Sequence, residues 1–318
     1  MADLTKDKLR RLTTVPDDFL SKIPKAEQQV YDKVVELIGR LQISNGSYVI
    51  SSKNLKIAAD ITQLLRGVLL ASDYTRYVTE FAKEFDQQAI VNNKLFEAAF
   101  PVFEPTELGK SVVNLAKRNA IDLLLNRASD TDFIAPLRET IEQAVVNGAG
   151  YRETLQSIRT FIEGSDGELG ALSKYSKTYA HNVFSVSDGA YTSIVAEELD
   201  ADWFIYAGDE IATTRPFCLE RHGQYYHWKE IEGWFAIPEK LQPGMSSSTI
   251  YIKDGAPYWN GIIEGTNKDT IYSYKGGNNC RHSILPVSLF SVPMDVIQRN
   301  IESGNYEPSE KELELLGM

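Results

Sequence analysis

The sequence predicts an α+β protein: a mostly helical N-terminal part, then a long helix leading into a small, loop-rich, β-containing C-terminal domain. Three observations predict it. Apolar residues recur at three- and four-residue steps through the first half, and one such stripe runs through 171–199. After Asp202 the helical period gives way to short aromatic and β-branched runs punctuated by glycine. The expected organisation is a helical domain over 1–170, a second domain over 171–292 and an acidic tail over 293–318.

The elements follow in order. Val30, Val34, Leu37, Ile38 and Leu41 fall on one face of a helix over 25–42, which Asn45-Gly46 ends in a turn. After Ser51-Ser52 a second pattern runs from Ile57 through Leu69 towards Phe85 and Phe100, where Pro101 and Pro105 stop it. Thr106-Glu107 opens a further helix through Val112, Leu115 and Leu123 to Leu125. Residues 133–146 form another, closed by Asn147-Gly148, and 151–162 a shorter one closed by Gly164. Leu172, Tyr175, Tyr179, Val183, Val186, Ala190 and Ile194 make the stripe of the long helix. Trp203-Phe204-Ile205-Tyr206 and Thr270-Ile271-Tyr272-Ser273-Tyr274 have strand character.

Composition narrows the function classes. The 318 residues carry 43 % hydrophobic side chains, enough for a real core, and a net charge of −11 that repels phosphate backbones. General nucleic-acid coating is therefore disfavoured. Apolar runs such as Val68 to Ala71 fall far short of the roughly 20 residues that a membrane span needs. No phosphate-cradling glycine motif and no paired-carboxylate motif occurs. Two cysteines cannot build a disulfide framework, so a reducing cytoplasm is the expected place of synthesis.

Both cysteines and three of the four histidines fall in the C-terminal region: Cys218, His222, His227, Cys280 and His282. Cys218 and His222 share a face if they lie in a helical turn, and Cys280 and His282 point the same way if they lie on a strand. Two thiolates and two imidazoles suit a structural zinc, which makes Cys218, His222, Cys280 and His282 the candidate ligands. The spacing lacks the two tight pairs of a zinc finger. A second reading takes the cysteines as small buried residues and the histidines as hydrogen-bonding loop groups. A third assembles a nucleophile, base and orienter from Cys280, His222 and Asn279, without supporting local context. His181, alone in the long helix, receives no role.

One order of residues is recognisable. Asp209 is followed by Thr213-Thr214-Arg215-Pro216-Phe217-Cys218 and by His222-Gly223, and some 50 residues later by Gly276-Gly277-Asn278-Asn279-Cys280-Arg281-His282. This resembles the C-terminal signature of MuF-type phage minor head proteins, the phage head morphogenesis family. The matching positions are Asp209, Thr214, Arg215, Cys218, Gly223, Asn279, Cys280, Arg281 and His282, and the resemblance covers about 171–286. The chain departs from the pattern in ending Cys-Arg-His rather than Cys-Arg-Cys and in a long insert after Gly223.

The resemblance implies a structural minor head protein of a tailed bacteriophage rather than an enzyme. Such a protein is made in the host bacterial cytoplasm and incorporated into the virion head near the portal, where it acts in procapsid assembly and in genome packaging or delivery. Portal, scaffold and major capsid proteins are the implied partners, reached through the amphipathic helices and the aromatic insert. In that setting Arg215 and Arg281 serve as a staple, tying the ends of the β domain by charge-assisted hydrogen bonds beside the cysteines. The rival expectation is a Cys/His hydrolase or transferase toxin, zinc-dependent in one form, delivered with the phage genome.

Overall fold

A computed structural model of the chain describes residues 2–127, 129–208, 210–212, 214–234, 250–253, 256–259, 265–277 and 280–318. It is mostly helical with small antiparallel sheets, the α+β class that the periodicities predict. The chain forms two compact units. One comprises Met1–Thr13, Phe85–Leu115 and Phe184–Met318, the other Thr14–Glu84 and Ala116–Val183. The expected 1–170 segment is thus shared between them, because four of the long helices contribute residues to both.

Helix α1 (Ala2–Ile38) begins well before the predicted 25 and continues through Pro16 and Pro24. Two prolines argue for a break, since each removes a backbone donor and crowds the preceding turn. The apolar stripe overrides them: Leu9, Leu12, Phe19, Ile23, Ala26, Val30 and Val34 are all buried at helical spacing. The hairpin β1 (Ile43–Ser44) and β2 (Ser47–Tyr48) turns at Asn45-Gly46, both with positive φ. Ser51 then caps α2 (Ser52–Ala71), and α3 (Asp73–Ala99) follows after Ser72, so the long pattern over 57–100 is two helices.

In the unit built from 14–84 and 116–183, α4 (Glu107–Ile121) runs into two π-helical stretches, Asp122–Arg127 and Ser129–Ile134. These are followed by α5 (Ala135–Val146), α6 (Tyr151–Glu163) and a hairpin of β3 (Gly164–Ser165) with β4 (Glu168–Leu169). Its core stacks Phe19 on Phe81 at 4.8 Å between ring centroids. The fully buried Tyr74 donates its hydroxyl hydrogen bond to the Leu124 carbonyl at 2.9 Å. Glu27, also buried, accepts from the Ser173 backbone N–H and hydroxyl, 2.8 Å each. His181 is paired with Asp17 at 2.9 Å.

The other unit holds the second half of α7 (Ala171–Glu198) and a three-stranded antiparallel sheet in the order β6-β5-β9. The strands are β5 (Trp203–Ala207), β6 (Tyr225–His227) and β9 (Ser283–Pro286), with Ile205 opposite both Tyr225 and Leu285. Between them lie the short helices α8 (Pro216–Leu219) and α9 (Trp228–Gly233) and the hairpin β7 (Ile250–Lys253) with β8 (Ala256–Trp259). The predicted strand over 270–274 is instead a helical turn, α10 (Ile271–Tyr274). Asn267 opens it by accepting from the backbone of Asp269 and Thr270, a local alternative to strand pairing that propensity alone does not register.

Because side chains alternate along a strand, the sheet has two different faces. Phe204, Tyr206 and Ile284 face a core with Phe217, Cys218, Ile271 and Cys280. Trp203, Ile205 and Val287 face the segment expected as an acidic tail, which folds into α11 (Met294–Glu302) and α12 (Glu310–Leu316). Its Val296, Ile297 and Tyr306 are buried, with Tyr306 edge-on to Trp203 at 5.1 Å.

Candidate metal centre

Three short elements deliver the Cys/His residues to one place. Pro216 starts α8 with its φ already set for a helix and no N–H to lose, which presents Cys218 to the core. The turn continues, with the His222 N–H bonding the Cys218 carbonyl at 2.8 Å, and Gly223 at φ +72° redirects the chain. The Gly223 N–H then bonds the Tyr206 carbonyl at 2.9 Å, fixing this turn to β5. Cys280 and His282 lead into β9, whose pairing with β5 sets their height above the sheet.

The sulfurs of Cys218 and Cys280 stand 3.8 Å apart, and Cys280 Sγ stands 3.8 Å from His282 Nδ1. All three residues are buried, and their ligand atoms lie within 4.8 Å of one another, a set able to hold one metal ion. The Tyr206 hydroxyl, 3.3 Å from Cys218 Sγ, closes the set on the side of the sheet. Gly276 lies against it so tightly that a Cβ there would come 2.1 Å from Cys218 Sγ. His222 stays outside the group, its ring 5.7 Å from that of His282 between centroids. His227 is buried at the end of β6, where its Nδ1 caps α9.

Electrostatics single out Cys280. The hydrogen bond with Cys218 holds the Cys280 thiol well below the usual thiol range, helped by His282 and Lys275 and opposed by burial. Cys218 is pushed up, by its hydrogen bond with Cys280 first and then by burial.

Lys275 belongs to a network that sequence reasoning misses. Its Nζ donates to the Ser185 carbonyl at 3.2 Å and lies 3.9 Å from Asp188 Oδ2. Lys8 pairs with Asp188 at 2.6 Å and also reaches Asn92 and Thr192. Lys8, Asp188 and Lys275 have fully buried side chains. Burial would raise the Asp188 carboxyl, but the two lysines outweigh it and hold it down at about 2. Ser185 also donates to the Cys280 carbonyl at 2.9 Å, so the network touches the cysteine site through the backbone.

The remaining motif positions are more scattered. Arg215 donates to the Gly276 carbonyl at 2.7 Å, joining segments 61 positions apart. Thr214 closes a surface turn, its hydroxyl accepting from the Ile211 N–H at 2.7 Å. Arg281 is half-buried, with no hydrogen bond or ion pair among the described residues. Asp209, Asn279 and much of the insert lie outside the described residues. On the opposite face of the sheet a cavity of about 430 Å³ is lined by Leu9, Ile205, Leu285 and Val287, and His222 reaches its wall while the cysteines do not. Comparisons with protein-family models, with curated proteins and with solved structures each returned no match to this chain.

Proposed function

We propose that the chain is a structural minor head protein of the MuF type from a tailed bacteriophage, acting in head assembly near the portal and in genome packaging or delivery. The observation that carries this reading is the order of residues from Asp209 to Gly223 and from Gly276 to His282. The meeting of its two halves supports it: Cys218 lies against Cys280, and Arg215 holds the Gly276 carbonyl. Arg215 and the cysteine pair would then serve as the staple, whereas Arg281 makes no hydrogen bond or ion pair among the described residues. Portal, scaffold or major capsid proteins are the partners in this reading, and the virion its location after synthesis in the host cytoplasm. No helix among the described residues is long and apolar enough to cross a membrane.

The cysteine site fits a structural zinc within the same proposal. Tetrahedral zinc with Zn–S of about 2.3 Å sets two sulfurs about 3.8 Å apart, and a Zn–N of about 2.0 Å sets sulfur and nitrogen about 3.5 Å apart. Two of the three observed separations are 3.8 Å, and all three ligand atoms lie within 4.8 Å of one another. Cys218, Cys280 and His282 would hold the ion, which would supply cross-linking of α8 to the start of β9. Burial of all three residues favours a structural site over a catalytic one.

Quantitative mass spectrometry of purified virions and procapsids tests the main reading. The protein is expected in one or both, at a copy number well below that of the major capsid protein. Its absence from both overturns the assignment.

A further inference from the structure

His282 meets the cysteines with only one of its two ring nitrogens. Nδ1 lies 3.8 Å from Cys280 Sγ, whereas Nε2 is buried and has no hydrogen-bond partner among the described residues. His222 presents the same deficiency, with a buried Nδ1 that nothing satisfies. An unsatisfied buried nitrogen costs roughly 1–3 kcal/mol, so two of them side by side call for an account.

The rings stand 5.7 Å apart between centroids and nearly perpendicular, at 82°. A direct N–H···N bond between two imidazoles, with nitrogens about 3 Å apart, needs a centroid separation of roughly 5.3 Å. The observed centroid separation is about half an ångström longer than that. The surroundings hold both rings in place: a Cβ at Gly208 would lie 2.3 Å from His282 Cδ2, and the Cys218–His222 turn is bonded to β5 through Gly223.

We propose that His222 is the positioning residue of the metal centre and not one of its ligands. In the loaded protein His282 Nε2–H donates to His222 Nδ1. That hydrogen bond fixes the tautomer in which the His282 Nδ1 lone pair is free for the ion. This inference rests on the zinc reading above and changes the ligand set that the sequence suggests, because His222 moves from the ion to its outer shell. Partners of this kind orient metal-bound imidazoles, and their loss typically weakens metal binding by about 10–100-fold.

The test uses the full chain, zinc competition against a chromophoric chelator, and long-range ¹H–¹⁵N spectra of the histidine rings. His222→Phe is expected to weaken zinc binding by about 10–100-fold. His222→Gln, whose amide oxygen still accepts, restores it to within a few-fold. In the zinc-loaded wild type, metal-bound shifts are expected at His282 Nδ1 and at neither nitrogen of His222. Loaded with cobalt, wild type and His222→Phe should give the same visible spectrum, because the ligands are the same. Unchanged zinc affinity in His222→Phe, or a metal-bound shift on a His222 nitrogen, overturns the proposal. A wild-type chain that binds no zinc overturns the zinc reading itself, a failure visible before any His222 variant is made.

Discussion

Cys218 and Cys280, 62 positions apart, bring their sulfurs within 3.8 Å of each other in the core of the C-terminal unit. Both thiols are free and stand within hydrogen-bond reach of each other. Cys280→Ala is expected to abolish stoichiometric zinc uptake, measured by inductively coupled plasma mass spectrometry. The zinc-loaded wild type should melt at higher temperature than the chelator-treated protein, and Cys280→Ala should lose that difference. Uptake of one zinc per chain by Cys280→Ala would place the metal elsewhere.

Gly276 is where the packing of this site leaves least room. A methyl group there lands 2.1 Å from Cys218 Sγ and 3.4 Å from Cys280 Sγ. Gly276→Ala must push Cys218 aside, at about 1–3 kcal/mol of stability for the overpacking. Denaturant unfolding should show that loss, and zinc affinity should fall along with it. A stable Gly276→Ala with native zinc affinity would mean that the sulfurs do not sit as described.

The Lys8–Asp188 pair yields a stability prediction independent of any metal. Both side chains are fully buried, and removing one partner of such a pair costs about 3–5 kcal/mol. Asp188→Asn should be worse than Lys8→Met, since it leaves Lys8 and Lys275 without a carboxylate while Lys8→Met leaves Asp188 facing Lys275 at 3.9 Å. Urea titration of the two variants and of the double variant gives the coupling directly.

His227 makes the protein sensitive to mild acid. Burial first, and then Lys229, lowers its pKa to about 4 from an ordinary 6.5, with Glu230 opposing. The folded state therefore favours the neutral ring, and below about pH 6.5 the unfolded chain takes up the proton more readily. The contribution is fully present above pH 6.5 and falls by about 3 kcal/mol on acidification to pH 4. The unfolding free energy of His227→Gln should fall less steeply between those pH values.

Most of the helical half is legible because its stripes are regular and its stops local: Ser51, Pro101, Asn147-Gly148 and Gly164 act on their immediate neighbours. The clustering of scarce cysteine and histidine likewise points to the right neighbourhood. What escapes is whatever depends on distant partners. A polar start with two prolines does not read as helix, although burial of Leu12, Phe19 and Ile23 makes it one. Lys8 reads as one surface charge among many until a carboxylate 180 positions away is seen beside it. His222 belongs with the cysteines by spacing, but which nitrogen faces which neighbour follows only from the packing.

The distance along the chain between Lys8 and its partners also sets an order of events during synthesis. Lys8 emerges from the ribosome early, and Asp188 and Lys275 follow much later. At about 5–20 residues per second the interval is on the order of ten seconds or more. Throughout that time Lys8 lacks the carboxylate that it pairs with in the folded chain. The buried charge network of this unit therefore cannot be completed until residues 188 and 275 have both been made.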